Sequence, residues 1–340
     1  MAGEIVRYKS GLYIKPVVDE VKKALNLGFD AVFTSPSREV ALKARELGLL
    51  YAPLIWIPKT SDLSLGVVNA WGEVKLFAFN NSGCIMNPAL MENILSRIER
   101  VVDETDADAI ILDALRFPSP HDMEWLFTCF CRYCRDFMKS LNINSEELAE
   151  NVRRAARNIH LYPHLNPVEF NALQTLFYVR QRAVEHALTL IGDLTGKLGI
   201  KLWGAVFPPS LAWMVGQNYF ILNRFLDQVQ VMLYHSGRGA ACLNHELASL
   251  VKLISSLSSI GVEDSLKVLS YLTGFEVGFN LDRLERELPL NIVMEEFLRA
   301  KKMFLGKAVP IFWLDERFES ILRQMEGLFE VIAVFKPRGS

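Results

Sequence analysis

The chain has 340 residues, 51% of them apolar and 22% charged, with 37 Lys+Arg against 39 Asp+Glu. That composition gives a large folded core and excludes long disordered stretches. The even charge leaves no basic excess to neutralise phosphates, so no nucleic-acid partner is expected. No run of about 18 uncharged apolar residues occurs, so no membrane span is expected either. Met1–Arg7 carries neither the basic nor the apolar region of a signal peptide, and the expected compartment is the cytoplasm.

Short apolar runs alternate with amphipathic stretches from end to end. Residues 11–16 read as a first strand, followed by a helix over 18–27 that stops at Gly28. The second strand, 30–34, precedes a helix over 39–47, and the third strand spans 50–57. A long excursion over 58–88 carries turn signals at Gly66, Gly72 and Asn80–Gly83, and leads into a helix over 90–102. The fourth strand, 107–113, is apolar almost throughout, as a strand buried on both faces should be. An excursion over 116–167 bears three cysteines, and a long helix over 169–198 stops at Gly199. Residues 200–206 and 228–234 read as the fifth and sixth strands, with a helix through Leu253. The spacing predicts a seventh strand at 266–272, a helix over 291–305, an eighth strand at 308–314, a last helix over 317–328 and a short apolar tail at 330–335.

Eight strands each followed by helix predict an α/β fold, a (β/α)8 TIM barrel with an insertion after strand 4, as one domain over 1–340. A doubly wound open sheet is the alternative, and it lacks the Gly-rich turn after its first strand. In such a barrel the chemistry gathers where strands end, on the C-terminal face.

Five cysteines are few for a disulfide framework. Cys129, Cys131 and Cys134 are spaced C-x-C-x-x-C in the loop after the fourth strand, and Cys84 lies in the loop after the third. Neighbouring strands raise these loops side by side, so four thiolates can close on one structural zinc ion; an iron–sulfur cluster asks for the same four ligands. Cys242, after the sixth strand, is expected to lie too far round to join them.

Asp113 ends the most buried strand, where a bare carboxylate is costly unless paired or used. Arg116 beside it is expected to lower its pKa and so suit it to act as nucleophile or base, or simply to pair with it; the acid is then expected in a second carboxyl in a more apolar setting, Glu276 first and Glu316 in reserve. A second carboxylate is expected in Glu276 after the seventh strand, flanked by Phe275, Val277 and Phe279 and three strands on from Asp113, or in Glu316 after the eighth, next to Asp315. Tyr13, Trp56, Arg116, Tyr234, His235 and Trp313 at other strand ends suit the apolar faces and hydroxyl rim of a sugar; Trp203 reads as barrel packing.

The segment Ile111–Pro118, followed by Cys129-Phe130-Cys131-Arg132-Tyr133-Cys134-Arg135-Asp136-Phe137, resembles the glycoside hydrolase-like TIM barrels of bacteria and archaea. Phe207–Gln217, leading to Val231-Met232-Leu233-Tyr234-His235, is similar to their fifth and sixth strands. The cysteine pattern, with Cys84 in Cys84-Ile85-Met86-Asn87-Pro88, is similar to the zinc site of family 42 β-galactosidases. That family ends its fourth strand in Asn-Glu, where this chain has Leu112-Asp113-Ala114. The resemblance implies a glycoside hydrolase acting on an oligosaccharide or glycoconjugate through paired carboxylates. The alternative is a diverged barrel that binds carbohydrate or a protein partner without catalysis.

Overall fold

The computed structural model describes residues 9–276 and 280–336. Eight parallel strands close into a barrel: β1 (Lys9–Tyr13), β2 (Ala31–Thr34), β3 (Leu50–Trp56), β4 (Ala109–Asp113), β5 (Lys201–Val206), β6 (Gln228–Met232), β7 (Lys307–Trp313) and β8 (Val331–Phe335). Each pairs with its neighbours in chain order, and β8 closes the ring on β1 with Lys9 opposite Val331 and Tyr13 opposite Phe335.

The helices that cover the barrel start and stop where the sequence supplies caps. They are α1 (Val18–Asn26), α2 (Arg38–Glu46), α3 (Pro88–Thr105), α4 (Arg132–Ser140), α5 (Ser145–Arg157), α6 (Pro167–Leu198), α7 (Leu243–Ser258), α8 (Val262–Thr273), α9 (Leu290–Met303) and α10 (Phe318–Gln324). Asn87 and Asn166 accept from the first-turn N–H groups of Ala89 and Glu169, each followed by a proline whose missing N–H costs nothing there. Gly199 ends α6 at φ 67°, the left-handed cap that glycine takes without strain. A two-stranded hairpin pairing Val67–Val68 with Val74–Lys75 lies in the excursion after β3. The signal-peptide reading of Met1–Arg7 falls outside the described residues. No helix among the described residues is long and apolar enough to cross a membrane.

Two strand assignments are corrected. The run 266–272 is not a strand but the body of α8. Its buried residues Ser265, Leu266, Val268, Leu269 and Thr273 follow a 3.6-residue period, and its hydroxyls at Ser270 and Thr273 bond back to the carbonyls of Leu266 and Leu269. Gly274 caps it at φ 72°. A seven-residue run with five apolar residues fits either structure, and here packing on α7 decides it. The seventh barrel strand is therefore β7, and the segment read as a tail is β8, whose central Ile332, Ala333 and Val334 are fully buried.

Candidate active site at the mouth of the barrel

The parallel strands deliver their C-terminal residues to one end of the barrel. Phe33, Tyr13, Phe335 and Trp313 stand in register on β2, β1, β8 and β7. Their rings touch in series: Tyr13–Phe33 at 5.1 Å, Tyr13–Phe335 at 5.4 Å and Phe335–Trp313 at 5.4 Å between centroids. Tyr234, just past β6, stacks on Trp313 at 4.3 Å. The Tyr13 hydroxyl reaches across the barrel to Gln230 Oε1 on β6. Trp203 packs edge-on against Phe33 inside this layer.

Asp113 closes the far side of the mouth. It is half-buried, and its backbone carbonyl accepts from Ile57 N–H at 2.8 Å. The next residue, Ala114, is held at φ 59°, a left-handed conformation unusual for a residue with a Cβ, and its N–H bonds the Asp113 carboxylate. Burial pushes the Asp113 carboxyl above its ordinary pKa of 3.8, against the opposing pulls of Arg116 and the Ala114 N–H. The expected lowering by Arg116 is thus outweighed. Arg116 also forms no ion pair with Asp113 among the described residues. Its buried guanidinium lies over the rings of Phe207 (4.9 Å) and Phe77 (5.5 Å) and donates to the Phe117 carbonyl. Burial first, then the Tyr234 phenol and the Asp113 charge for Tyr13 and the Asp113 charge for Tyr234, raise both phenols well above the ordinary range, so both stay protonated.

The other sequence-predicted residues divide by exposure. Trp56 and Trp313 are half-buried, each with its indole N–H fixed, to Ser82 Oγ at 2.9 Å and to the Ser236 carbonyl at 2.8 Å. Tyr13, Arg116, Tyr234 and His235 are buried behind them. His235 is 1% exposed, with Nε2 3.6 Å from Asp315 Oδ2 and neither ring nitrogen hydrogen-bonded. Burial holds its pKa below the ordinary value, the neighbouring Asp315 notwithstanding. Glu316 is exposed on the loop after β7. Glu276 is exposed too, but it follows the cap of helix α8 rather than a barrel strand, so the placement three strands on from Asp113 is corrected. Its expected flanks Val277 and Phe279 lie outside the described residues. In the closed barrel the strand three positions from β4 is β7, which leads to Asp315 and Glu316.

Two wholly buried helical acids, Glu246 and Glu296, escape the sequence reading. Glu246, on α7, is wholly buried and accepts from Ser119 Oγ (2.8 Å), His121 N–H (2.7 Å) and Ala241 N–H (2.8 Å). It ties the loop after β4 to the loop after β6. Burial pushes its pKa up to about 7, with Arg116 and these donors pulling the other way. A glutamate in a helix of mixed polarity carries no sequence signal for such a position.

The four predicted thiols do meet. Cys84, Cys129, Cys131 and Cys134 place their Sγ atoms within 4.8 Å of one another, with Cys84 at 3.4 Å from Cys134 and 3.6 Å from Cys131. Tetrahedral Zn–S bonds of about 2.3 Å put thiolates about 3.8 Å apart, so the cluster fits a metal ion. Cys131 caps the N-terminus of α4, a position that favours a thiolate. Hydrogen bonds with Cys129 and its neighbours hold Cys131 well below the ordinary thiol range and push Cys84 and Cys134 above it. Cys242 stands apart, as expected, at the start of α7. Arg180, 1% exposed on α6, secures the cysteine loop by donating to the carbonyls of Thr128, Leu126 and Met214 and to Thr128 Oγ1.

The closed parallel barrel with its surrounding helices is a TIM barrel. No family model and no curated protein matches the sequence. Among solved structures the chain is similar to the PgaB (BpsB) glycoside hydrolase domain from Bordetella bronchiseptica, with a TM-score of 0.59 and 10% identity over 97% of this chain and 94% of that one. It also matches a GH18 chitinase from Pseudoalteromonas aurantia (TM-score 0.43, 9% identity, 97% and 94% covered). A family 2 AP endonuclease from Brucella melitensis gives 0.40 at 8% identity, with 98% and 95% covered. At these identities the likeness is one of fold.

Proposed function

We propose that the protein is a glycoside hydrolase acting on an oligosaccharide or glycoconjugate at the mouth of the barrel. The observation that carries this reading is the setting of Asp113: a half-buried carboxyl at the end of β4, its proton favoured by burial, level with Trp56 on β3, at a barrel mouth that also carries the neutral phenols of Tyr13 and Tyr234 and the indole of Trp313. An acid whose pKa is raised suits proton donation to a leaving glycosidic oxygen. The indole faces suit the C–H face of a pyranose, and the fold likeness to a glycoside hydrolase domain is consistent with it.

The second carboxylate in this reading is Glu316. It sits on the loop that β7 raises three strands round from Asp113 and is open to water, whereas neighbouring Asp315 is engaged with His235 and the Arg317 N–H. Glu316 would act as base or nucleophile opposite the acid. Glu276 follows helix α8 rather than a barrel strand.

We also infer that the four thiolates hold a structural zinc. Four sulfur ligands leave no open position, so the ion would join the excursion after β3 to the loop after β4 and take no part in catalysis.

A panel of chromogenic glycosides tests the assignment. Glu316→Gln should lower turnover of the cleaved glycoside by a factor of about 100 or more, and Glu276→Gln should leave it within twofold. The reverse order would transfer the second role to Glu276.

A further inference from the structure

The segment between Phe77 and Ser82 is a closed turn. Phe77 N–H donates to the Ser82 carbonyl at 3.0 Å, and Ser82 N–H returns to Phe77 at 3.1 Å. Both stems are fixed in the wall of the mouth. Phe77 is buried under the Arg116 guanidinium, and Ser82 is buried with its hydroxyl accepting from Trp56 Nε1. Between them Ala78, Phe79 and Asn80 take φ values of 46°, 62° and 58°. Three successive side chains in the left-handed region are disfavoured, because each Cβ crowds its own backbone.

That strained turn displays a phenyl ring to water: Phe79 is 62% exposed. A lone exposed aromatic needs no explanation, and Phe220, 67% exposed on a short helix, is of that kind. Phe79 differs in two respects. Its backbone is held against its preference by two anchored stems, as occurs where a fold presents a residue for use. Its position is also continuous with the mouth. The ring lies 6.3 Å from that of Trp56 and is tilted 51° to it. On its other side Phe79 meets the loop after β6 at Gly239, where a Cβ would stand 3.8 Å from the ring edge. Trp56 in turn is the register partner of Asp113.

We propose that Phe79 and Trp56 form a sugar-binding subsite that receives the apolar face of a pyranose at a distance from the bond attacked at Asp113. The inference rests on the glycan reading of the mouth and adds to it a contact that only longer chains can make. Phe79 is a binding residue here and touches no reacting atom.

The test uses Asp113→Asn protein, which binds without turnover, on a printed array of disaccharides and hexasaccharides, with each hit titrated by calorimetry. Adding Phe79→Ala should raise the Kd of a bound hexasaccharide about tenfold, leave its disaccharide within twofold, and leave the melting temperature unchanged. Phe79→Trp should restore or improve the hexasaccharide Kd. A hexasaccharide that binds equally well without the Phe79 ring overturns the subsite and leaves the glycan reading standing. No glycan bound by the Phe79-containing protein overturns both. Conversion of a dimer to a monomer by Phe79→Ala, with glycan affinity unchanged, would make the ring a contact between copies and also overturn the subsite.

Discussion

Trp56 and Asp113 lie level on adjacent strands: they are register partners of β3 and β4, and Ile57 N–H, one residue on, donates to the Asp113 carbonyl at 2.8 Å. The indole and the carboxyl to which the proposed function assigns sugar binding and proton donation are therefore fixed relative to each other by backbone pairing. The same pairing brings the loop after β3 beside the loop after β4, which is why Cys84 can meet the three later cysteines.

Removing a thiol tests the metal site. Protein purified without added metal should carry about one zinc per chain, and Cys131→Ser should lose it and melt roughly 5 °C or more lower, because an unfolded chain has no preformed ligand set. Elemental analysis and calorimetry on the same samples give the answer. A full-length protein with well under one zinc per chain, and unchanged melting in the variant, would dismiss the ion.

Glu246 makes stability depend on pH in a defined direction. Its pKa is about 7 in the folded protein against 4.5 when exposed. Between those values the folded state keeps a proton that the unfolded state releases, so stability falls as pH rises through that window and levels off above it. The cost reaches about 3 kcal/mol by pH 7. Urea denaturation at pH 4.5, 6 and 7.5 should show Glu246→Gln losing less stability across this range than the unmodified protein. A parallel pair of curves would mean that Glu246 is ionised in the fold.

Arg180 serves six acceptors with one planar fork. A lysine ammonium cannot reach them together. Arg180→Lys should cost about 3 kcal/mol in denaturant unfolding and weaken zinc retention, since the loop it holds carries Cys129. A loss under 1 kcal/mol would show that the carbonyls find other donors.

Much of this arrangement was legible in the residues because its signals are local. The apolar run Ala109–Leu112 before Asp113 reads as a buried strand ending on the working face, and the C-x-C-x-x-C spacing reads as ligands whatever the fold around it. The run 266–272 misleads because a short, mostly apolar run satisfies a strand as well as a helix, and only the face buried against α7 distinguishes them. That error put Glu276 after a barrel strand and left β8 as a tail. Glu246 and Arg180 are invisible for a different reason: most of their partners lie in loops more than 30 residues away, which no spacing encodes. The effect of Arg116 on Asp113 was misjudged because sequence adjacency gives proximity but not burial, and burial dominates.

The most direct measurement of the central claim is release of new reducing ends from oligosaccharides by the unmodified protein and by Asp113→Asn. Cleavage of at least one glycan, reduced by a factor of about 100 to 10,000 in the variant at unchanged melting temperature, is the predicted result. A variant that cleaves the same glycan as fast as the unmodified protein would contradict the account.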